Sequence, residues 1–231
     1  MDKYHAELED DRVITVLIAD DQQVVRQGFE LFLTDHPRIE VVGHAASGFE
    51  ALQQVRLLQP DVVLMDIRMP HGDGLTATFE VLKEFPKTRI IVVTTFDLDE
   101  YVFGALDLGA VGFLLKDTDP DDLVDAVIAA ADGGSVLSPK LTRRMVAEFA
   151  RRKPATPSEI PDHGLSVREM EVVQLLSSGL GNGEVADAMK LELSTVKSHI
   201  GNICRKLDVR TRVQIVIWAY RNNMVRDSRV R

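Results

Sequence analysis

The chain has 231 residues, of which 45% are hydrophobic and 27% are charged, the balance of a soluble globular protein with one large or two ordinary domains. No stretch approaches the roughly 18 to 20 apolar residues that a membrane-spanning helix needs, and the acidic, polar N-terminus does not read as a secretory signal. The single cysteine, Cys204, excludes an internal disulfide and a cysteine-based zinc cluster. We therefore expect a cytoplasmic protein that is not embedded in a membrane.

Charge is distributed unevenly along the chain. Residues 165–231 carry 11 Lys and Arg against 7 Asp and Glu, a balance of +4, whereas the other 164 residues carry 16 against 29, a balance of −13. An acidic front and a basic tail predict two domains that bind different partners.

Five short apolar runs alternate with segments of helical spacing up to residue 132. Between the runs, apolar residues recur three, four and seven positions apart, as at Val25, Phe29 and Phe32, and the last such helix ends at Gly109. This alternation predicts an α/β doubly wound domain with a five-stranded parallel sheet, covered by helices on both faces. The predicted strands are VITVLIAD (13–20), IEVVG (39–43), VVLMD (62–66), IIVVTT (90–95) and VGFLLK (111–116).

Polar side chains stand where four of these strands end. Asp20 and Asp21 end the first strand, Asp66 the third, Thr94 the fourth and Lys116 the fifth. In the strand order 2-1-3-4-5 the first and third strands are neighbours, so the three carboxylates meet at one edge. Clustered like charges need a cation, and a few oxygen ligands suit Mg²⁺. One aspartate after a strand is usually a cap or turn residue, but the joint pattern predicts a phosphoryl acceptor with a hydroxyl donor and an ammonium beside it.

This part of the chain resembles the receiver domain of bacterial two-component response regulators, over about residues 13–132. The resemblance implies that Asp66 is phosphorylated by a sensor histidine kinase, and that Mg²⁺ is held by Asp20, Asp21, Asp66 and the backbone carbonyl of Arg68. The motifs that carry it are DD (20–21), LMDIRMP (64–70), VTT (93–95), GA (109–110) and GFLLKD (112–117).

The resemblance also assigns the switching residues. It implies that Thr94 and Lys116 contact the phosphoryl group, and that Phe113 is a switch aromatic that turns inward on phosphorylation. A phosphatase with an aspartyl nucleophile would need an acid two residues after Asp66, where this chain has Arg68. A dinucleotide-binding domain is weaker still, because the first strand is followed by DDQQVVRQG without a glycine-rich turn.

Residues 133–163 change in composition and predict a linker. GGSVLSPK (133–140) interrupts the helical pattern, residues 141–152 could form one short helix, and residues 152–164 hold three prolines without apolar periodicity.

From Leu165 onward the pattern is helical and carries net positive charge, which predicts a helix-turn-helix module. Four helices with tight turns fit this segment. The first is capped by Ser166, with Glu169 as its capping-box partner, and ends near Gly179. The second spans Gly183–Met189. The third is capped by Ser194 and ends near Leu207, and the fourth begins near Thr211.

The third of these helices separates into two faces at about 100° per residue. Val196, Ile200, Ile203 and Leu207 form the predicted core stripe, with His199 at its border and Cys204 and Trp218 expected in the core. A polar, small and basic outer face suits a helix that enters the major groove, although a solvated surface would look similar. The expected DNA-contacting residues are Ser194, Thr195, Lys197, Ser198, Gly201, Asn202 and Arg205.

Residues 165–222 resemble the LuxR-type helix-turn-helix, through LSVREMEVVQLLSSGL, EVADAM and STVKSHIGNICRKLDVRTR. The whole chain thus resembles response regulators of the NarL/FixJ subfamily, with a receiver at 13–132, a linker at 133–163 and a DNA-binding domain at 164–231. The resemblance implies a transcription factor in which phosphorylation of Asp66 promotes a homodimer on double-stranded promoter DNA. It implies no enzymatic activity beyond the protein's own Mg-dependent phosphotransfer and autodephosphorylation. Gly201 departs from relatives that often carry a larger side chain there.

Two other functions are open at this point. The first domain could be a protein-interaction module, with DNA binding independent of phosphate. The protein could instead act as an enzyme, with Phe96 and Arg68 shielding the acceptor from water.

Overall fold

The computed structural model describes residues 12–69, 74–95, 100–134, 163–222 and 224. Strands and helices alternate up to residue 131, which confirms the predicted α/β fold. In chain order the elements are β1 (Ile14–Ala19), α1 (Gln23–Thr34), β2 (Ile39–Ala45), α2 (Gly48–Leu58), β3 (Val62–Asp66), α3 (Gly74–Glu84), β4 (Arg89–Thr94), α4 (Glu100–Leu108), β5 (Gly112–Leu115) and α5 (Pro120–Ala131).

The five strands form one sheet in the order β2-β1-β3-β4-β5, as predicted. Strand β1 pairs in parallel with both β2 and β3, and β3 pairs in parallel with β4. All five residues of β3 are buried, because the centre of a parallel sheet is covered on both faces. Ala19 pairs with Met65, so the next residues, Asp20 and Asp66, leave neighbouring strands side by side.

Local signals explain where the helices begin and end. Ser47 caps α2 by accepting a hydrogen bond from the backbone N–H of Glu50 at 3.2 Å. Helix α4 ends one residue before Gly109, whose φ of 114° is a left-handed conformation that glycine adopts without steric cost. The sequence predicted that end correctly. Pro120 starts α5 at a position where no backbone N–H is needed.

Four helices form the C-terminal part of the described chain: α6 (Val167–Ser177), α7 (Asn182–Met189), α8 (Leu193–Leu207) and α9 (Arg212–Arg221). Ser166 and Glu169 form the predicted capping box at the start of α6, and Thr211 caps α9. Their apolar sides share one core. Its buried members are Val172, Val173, Leu176, Val185, Ala186, Val196, Ile203, Ile215, Val216 and Ala219, against which Ile200, Cys204, Leu207 and Trp218 pack partly buried.

The predicted N-cap of α8 is wrong. Glu192 occupies the cap position, and its carbonyl accepts the N–H groups of Thr195 and Val196 at 3.0 and 3.2 Å. Ser194 already lies in the first turn, where its own carbonyl accepts the hydroxyl of Ser198 at 2.9 Å. A serine that stands two residues inside the helix cannot bond the free N–H groups of the first turn from the cap position.

The predicted linker helix at 141–152 and Phe96 lie outside the described residues, as does most of the predicted linker. Among the helices that the structure describes, none is both long and apolar enough to cross a lipid bilayer.

Candidate functional site

The carboxyl edge of the sheet brings three aspartates together. Asp20 follows β1, Asp21 begins the turn into α1, and Asp66 ends β3. One carboxylate oxygen from each of them lies within 4.8 Å of the other two. Asp20 and Asp66 are only 1% and 3% exposed, so their charges lie in the protein and not in bulk solvent.

Fixed hydrogen bonds and one ammonium orient these carboxylates. Oδ1 of Asp66 accepts the backbone N–H of Arg68 at 2.9 Å, and Oδ2 accepts from Nζ of Lys116 at 2.8 Å. Oδ1 of Asp20 accepts the backbone N–H of Gln22, also at 2.9 Å. Nζ of Lys116 lies 2.6 Å from Oδ2 of Asp20, an ion pair by distance that lacks the alignment of a hydrogen bond. Lys116 therefore bridges the ends of β1 and β3.

Burial and pairing shift the pKa values of this group in opposing ways. Burial raises the pKa of Asp20, and the close ammonium of Lys116 and the N–H of Gln22 offset only part of that rise. Burial alone would lower the pKa of Lys116, but its contacts with the carboxylates of Asp20 and Asp66 outweigh burial and raise it. Lys116 thus stays cationic at the point where the carboxylates converge.

The aspartates fit a divalent cation. Within the described part of the chain, Oδ1 of Asp21 is a buried acceptor with no hydrogen-bond partner, and Oδ2 of Asp20 has no hydrogen bond beside its ion pair with Lys116. Burying an acceptor that lacks a hydrogen bond costs free energy, and a cation bound by both oxygens would remove that cost. Carboxylate oxygens in this number are the donors that Mg²⁺ takes from proteins while keeping several waters.

Two further predicted residues lie near the same edge. Thr94 ends β4 and is 2% exposed, and its carbonyl accepts the backbone N–H of Lys116 at 2.9 Å, which ties the ends of β4 and β5 together. Phe113 in β5 is fully buried. The ring thus already lies inside the protein in this structure, and its role as the switch aromatic stays a prediction.

Sequence reasoning missed two residues that shape the site. A Cβ atom on Gly74 would overlap the carbonyl oxygen of Asp66 and lie 2.8 Å from Cα of Ile67, so only glycine lets α3 begin against the end of β3. Nη1 of Arg26 donates to the carbonyl oxygens of Asp20 and Asp21 at 2.6 and 3.3 Å. A glycine near a predicted helix start could have suggested the first contact, whereas no spacing in the sequence indicates the second.

A second candidate site lies on α8. Of the predicted DNA-contacting residues, Thr195 is half-buried and the others are exposed, while Val196 and Ile203 face the core. Nζ of Lys206, also on α8, bonds Oε2 of Glu169 at 2.7 Å and so fixes this helix to the start of α6. That contact, together with the hydrogen bond from the N–H of Ser166, lowers the pKa of Glu169 to about 2. The exposed residues of this helix are Leu193, Ser194, Lys197, Ser198, Gly201, Asn202, Arg205 and Lys206.

Comparisons with known proteins identify both parts of the chain. Residues 16–128 match the family model of the response regulator receiver domain, and residues 163–219 match that of bacterial regulatory proteins of the luxR family. The chain is 38% identical over 212 residues to the transcriptional regulatory protein YxjL of Bacillus subtilis strain 168, covering 92% of this chain and 97% of that one. Its identity to the response regulator protein VraR of Staphylococcus aureus strain NCTC 8325 is also 38%, covering 92% and 99%.

A solved structure gives the same result. The two-component response regulator RcsB, in a complex with DNA, is similar to this chain with a TM-score of 0.53 at 26% identity, covering 91% of this chain and 99% of that one. The chain therefore belongs to the two-component response regulators that carry a LuxR-type DNA-binding domain. This membership implies a histidine kinase as partner and the regulation of transcription through DNA binding.

Proposed function

We propose that this regulator is switched by phosphorylation of Asp66 by a sensor histidine kinase, and that the modified protein dimerises and binds promoter DNA. The observation that carries the proposal is the convergence of Lys116 and three aspartates on one buried sheet edge. A lysine fixed between two carboxylates is in place to meet a phosphoryl oxygen as soon as one carboxylate is esterified.

The two oxygens of Asp66 have different roles in this proposal. Oδ1 is held by the backbone N–H of Arg68, whereas Oδ2 is paired with the ammonium of Lys116. Oδ2 would attack phosphorus, the P–N bond of the kinase phosphohistidine would break, and the imidazole would leave with the electron pair. Asp66 thereby becomes an acyl phosphate, and Lys116 transfers its contact to a phosphoryl oxygen.

Asp20, Asp21, Asp66 and the backbone carbonyl of Arg68 would hold Mg²⁺, which supplies neutralisation of phosphoryl charge. The hydroxyl of Thr94 would donate to a phosphoryl oxygen. Because the carbonyl of Thr94 accepts the backbone N–H of Lys116, movement of either residue would displace the ends of both β4 and β5. That displacement would carry the chemical change to the surface formed by α4, β5 and α5, or to α1 and α5, where a homodimer could form.

The exposed face of α8 would then read DNA. A two-fold dimer presents two such helices, so each binds one half-site in the major groove. Lys197 and Arg205 offer cations, while Ser194, Ser198 and Asn202 offer hydrogen-bonding groups. Gly201 has no side chain, and nothing lies within 4 Å of the position a Cβ would take. The helix backbone could therefore approach DNA closely at this residue.

Acetyl phosphate tests the acceptor directly. The wild-type chain should gain the mass of one phosphoryl group in a Mg²⁺-dependent reaction, and the Asp66→Asn variant should gain none. Asp35→Asn, which alters an exposed aspartate after the end of α1, is the matched control and should label like the wild type. Equal labelling of Asp66→Asn would remove Asp66 from the mechanism.

A gel shift on promoter fragments with and without acetyl phosphate tests the switch. Tighter binding by the phosphorylated wild type, and no change for Asp66→Asn, would support the proposal. Identical affinities in both states would favour a first domain that serves as an interaction module, with DNA binding independent of phosphate.

A further inference from the structure

Arg26 contacts the strand end that carries two of the three clustered aspartates. Its half-buried side chain leaves the first turns of α1 and returns to the strand end, where Nη1 donates to the carbonyl oxygen of Asp20 at 2.6 Å and to that of Asp21 at 3.3 Å. Hydrogen bonds from a guanidinium are roughly twice as strong as those between neutral groups. The cation therefore contacts the backbone of the two aspartates, and not their carboxylates.

This contact fixes the peptide units from which the carboxylates project. Oδ1 of Asp20 is already occupied by the N–H of Gln22, so the side chain of Asp20 is fixed at one oxygen and its carbonyl is fixed by Arg26. Rotation of either peptide would turn a carboxylate away from the cluster. Two side-chain oxygens without a hydrogen bond remain for a ligand in the described part of the chain: Oδ1 of Asp21, and Oδ2 of Asp20, which has only its ion pair with Lys116.

We propose that Arg26 is a positioning residue of the Mg²⁺ site, which holds the turn after β1 so that Asp20 and Asp21 present these two oxygens together. The inference deepens the proposed function and rests on it, because it takes the cluster to bind Mg²⁺. Arg26 has two opposing effects on the ion. Its positive charge repels a cation, while its two hydrogen bonds preorganise the ligands. We expect the preorganising effect to dominate, because the guanidinium bonds two carbonyl oxygens whose partial negative charge offsets part of its own.

The two effects predict opposite results for one substitution. Arg26→Met removes both charge and hydrogen bonds, and should weaken Mg²⁺ binding by about tenfold, as loss of a group that orients metal ligands typically does. If charge repulsion dominated, the same variant would bind Mg²⁺ more tightly than the wild type. Arg26→Lys keeps a cationic donor and should recover part of the lost affinity. Arg56→Met is the matched control, since Arg56 is an exposed arginine that pairs with Glu84 on α3.

The measurement is calorimetric titration of Mg²⁺ into the unphosphorylated full-length chain, followed by acetyl phosphate labelling over a range of Mg²⁺ concentrations. For Arg26→Met the Mg²⁺ concentration that gives half-maximal labelling should rise about tenfold, while the rate at saturating Mg²⁺ stays close to that of the wild type. A general loss of structure would instead lower the saturating rate and the unfolding midpoint measured without Mg²⁺, and that result would overturn the positioning role.

The outcomes separate this inference from the proposed function. A wild-type chain that binds no Mg²⁺ and accepts no phosphoryl group would overturn both. A wild-type chain that binds Mg²⁺ and is labelled, with Arg26→Met and Arg56→Met of equal affinity, would overturn only the role of Arg26.

Discussion

The Nζ atom of Lys116 lies 2.8 Å from Oδ2 of Asp66, so the candidate acceptor carboxylate is ion-paired before any phosphoryl group arrives. The same ammonium lies 2.6 Å from Asp20, and its side chain is only 9% exposed. Lys116 thus neutralises part of the repulsion between two buried carboxylates. A cation bound at the aspartates would relieve the same repulsion from the other side.

Substituting Lys116→Met should therefore destabilise the sheet domain in a Mg²⁺-dependent way. Without Mg²⁺ we expect a loss of about 1 to 3 kcal/mol, because two buried carboxylates lose their shared partner. Millimolar Mg²⁺ should reduce the loss. Urea unfolding followed by circular dichroism, with and without Mg²⁺, measures the difference. Lys87→Met, which alters an exposed lysine, is the control. If the loss of stability in Lys116→Met were the same with and without Mg²⁺, the idea that Lys116 and the cation relieve the same repulsion would be wrong.

Gly74→Ala should disturb the acceptor itself. The added Cβ would overlap the carbonyl oxygen of Asp66, which is backbone and cannot move without shifting the end of β3. We expect a loss of stability of about 1 to 3 kcal/mol and slower labelling by acetyl phosphate. Gly28→Ala is the matched control in α1, because nothing lies within 4 Å of its Cβ position. That change should stabilise the protein by up to about 1 kcal/mol, and equal effects of the two substitutions would refute the steric argument.

The ion pair of Glu169 and Lys206 should make the C-terminal helices sensitive to acid. The pKa of Glu169 falls from its ordinary 4.5 to about 2 in the folded protein, so its contribution to stability is complete above pH 4.5 and is lost as the pH falls towards 2. The side chain of Lys206 is 32% exposed, so solvent screening limits the contribution to about 1 kcal/mol.

Glu169→Gln checks this effect. The amide keeps an acceptor for the N–H of Ser166 but loses the charge that faces Lys206. The variant should be less stable than the wild type at pH 7, and the difference should shrink as the pH falls from 4.5 towards about 2. Trp218, the single tryptophan, lies in α9 and reports unfolding of these helices by fluorescence. A difference that persists unchanged at pH 3 would show that the charge is not its cause.

Lys197→Ala should weaken DNA binding almost uniformly across sequences. An exposed lysine near the start of α8 suits a phosphate contact, and the loss of one such contact lowers the slope of log affinity against log salt by about one. Binding measured by fluorescence anisotropy over a range of salt gives this slope. Arg168→Ala, which removes an exposed cation on α6 that pairs with Glu171, should leave the slope unchanged. Equal slopes for all three proteins would argue against a phosphate contact by Lys197.

Gly201→Ala separates stability from recognition. The position is exposed in the middle of α8 with no atom near a Cβ, so alanine should stabilise the helix by about 1 kcal/mol. If the backbone approaches DNA closely there, the same methyl group should lower DNA affinity. Trp218 fluorescence in urea measures the first effect and a gel shift the second, and unchanged DNA affinity would exclude the close approach.

Much of the candidate site follows from the sequence, because strand periodicity locates the strand ends and parallel strands end at one edge. Asp20, Asp66, Thr94 and Lys116 come from such ends. Residues that act across a turn are different: nothing in the spacing of Arg26 shows that its side chain returns to the backbone of Asp20.

Helix starts are the other weak point of the sequence reading. Ser194 looked like a cap because serine is favoured at that position, but a side chain caps a helix only where the backbone leaves the helical conformation. In the structure that point is Glu192, whose side chain makes no hydrogen bond to the first turn of α8. The predicted cap at Ser166 is confirmed, and both it and the cap at Thr211 have a Glu or Gln three residues later, a signal that Ser194 lacks.

The three carboxylates and one ammonium at the sheet edge leave two uncompensated negative charges. With a divalent ion bound, the edge is electroneutral. An acyl phosphate on Asp66 would replace one negative charge by about two and so leave a surplus among side chains that water hardly reaches. Dipoles and cations from neighbouring turns would have to move closer to compensate for that surplus. Such movements would carry the effect of phosphorylation from Asp66, which is 3% exposed, to the outer surface of the domain.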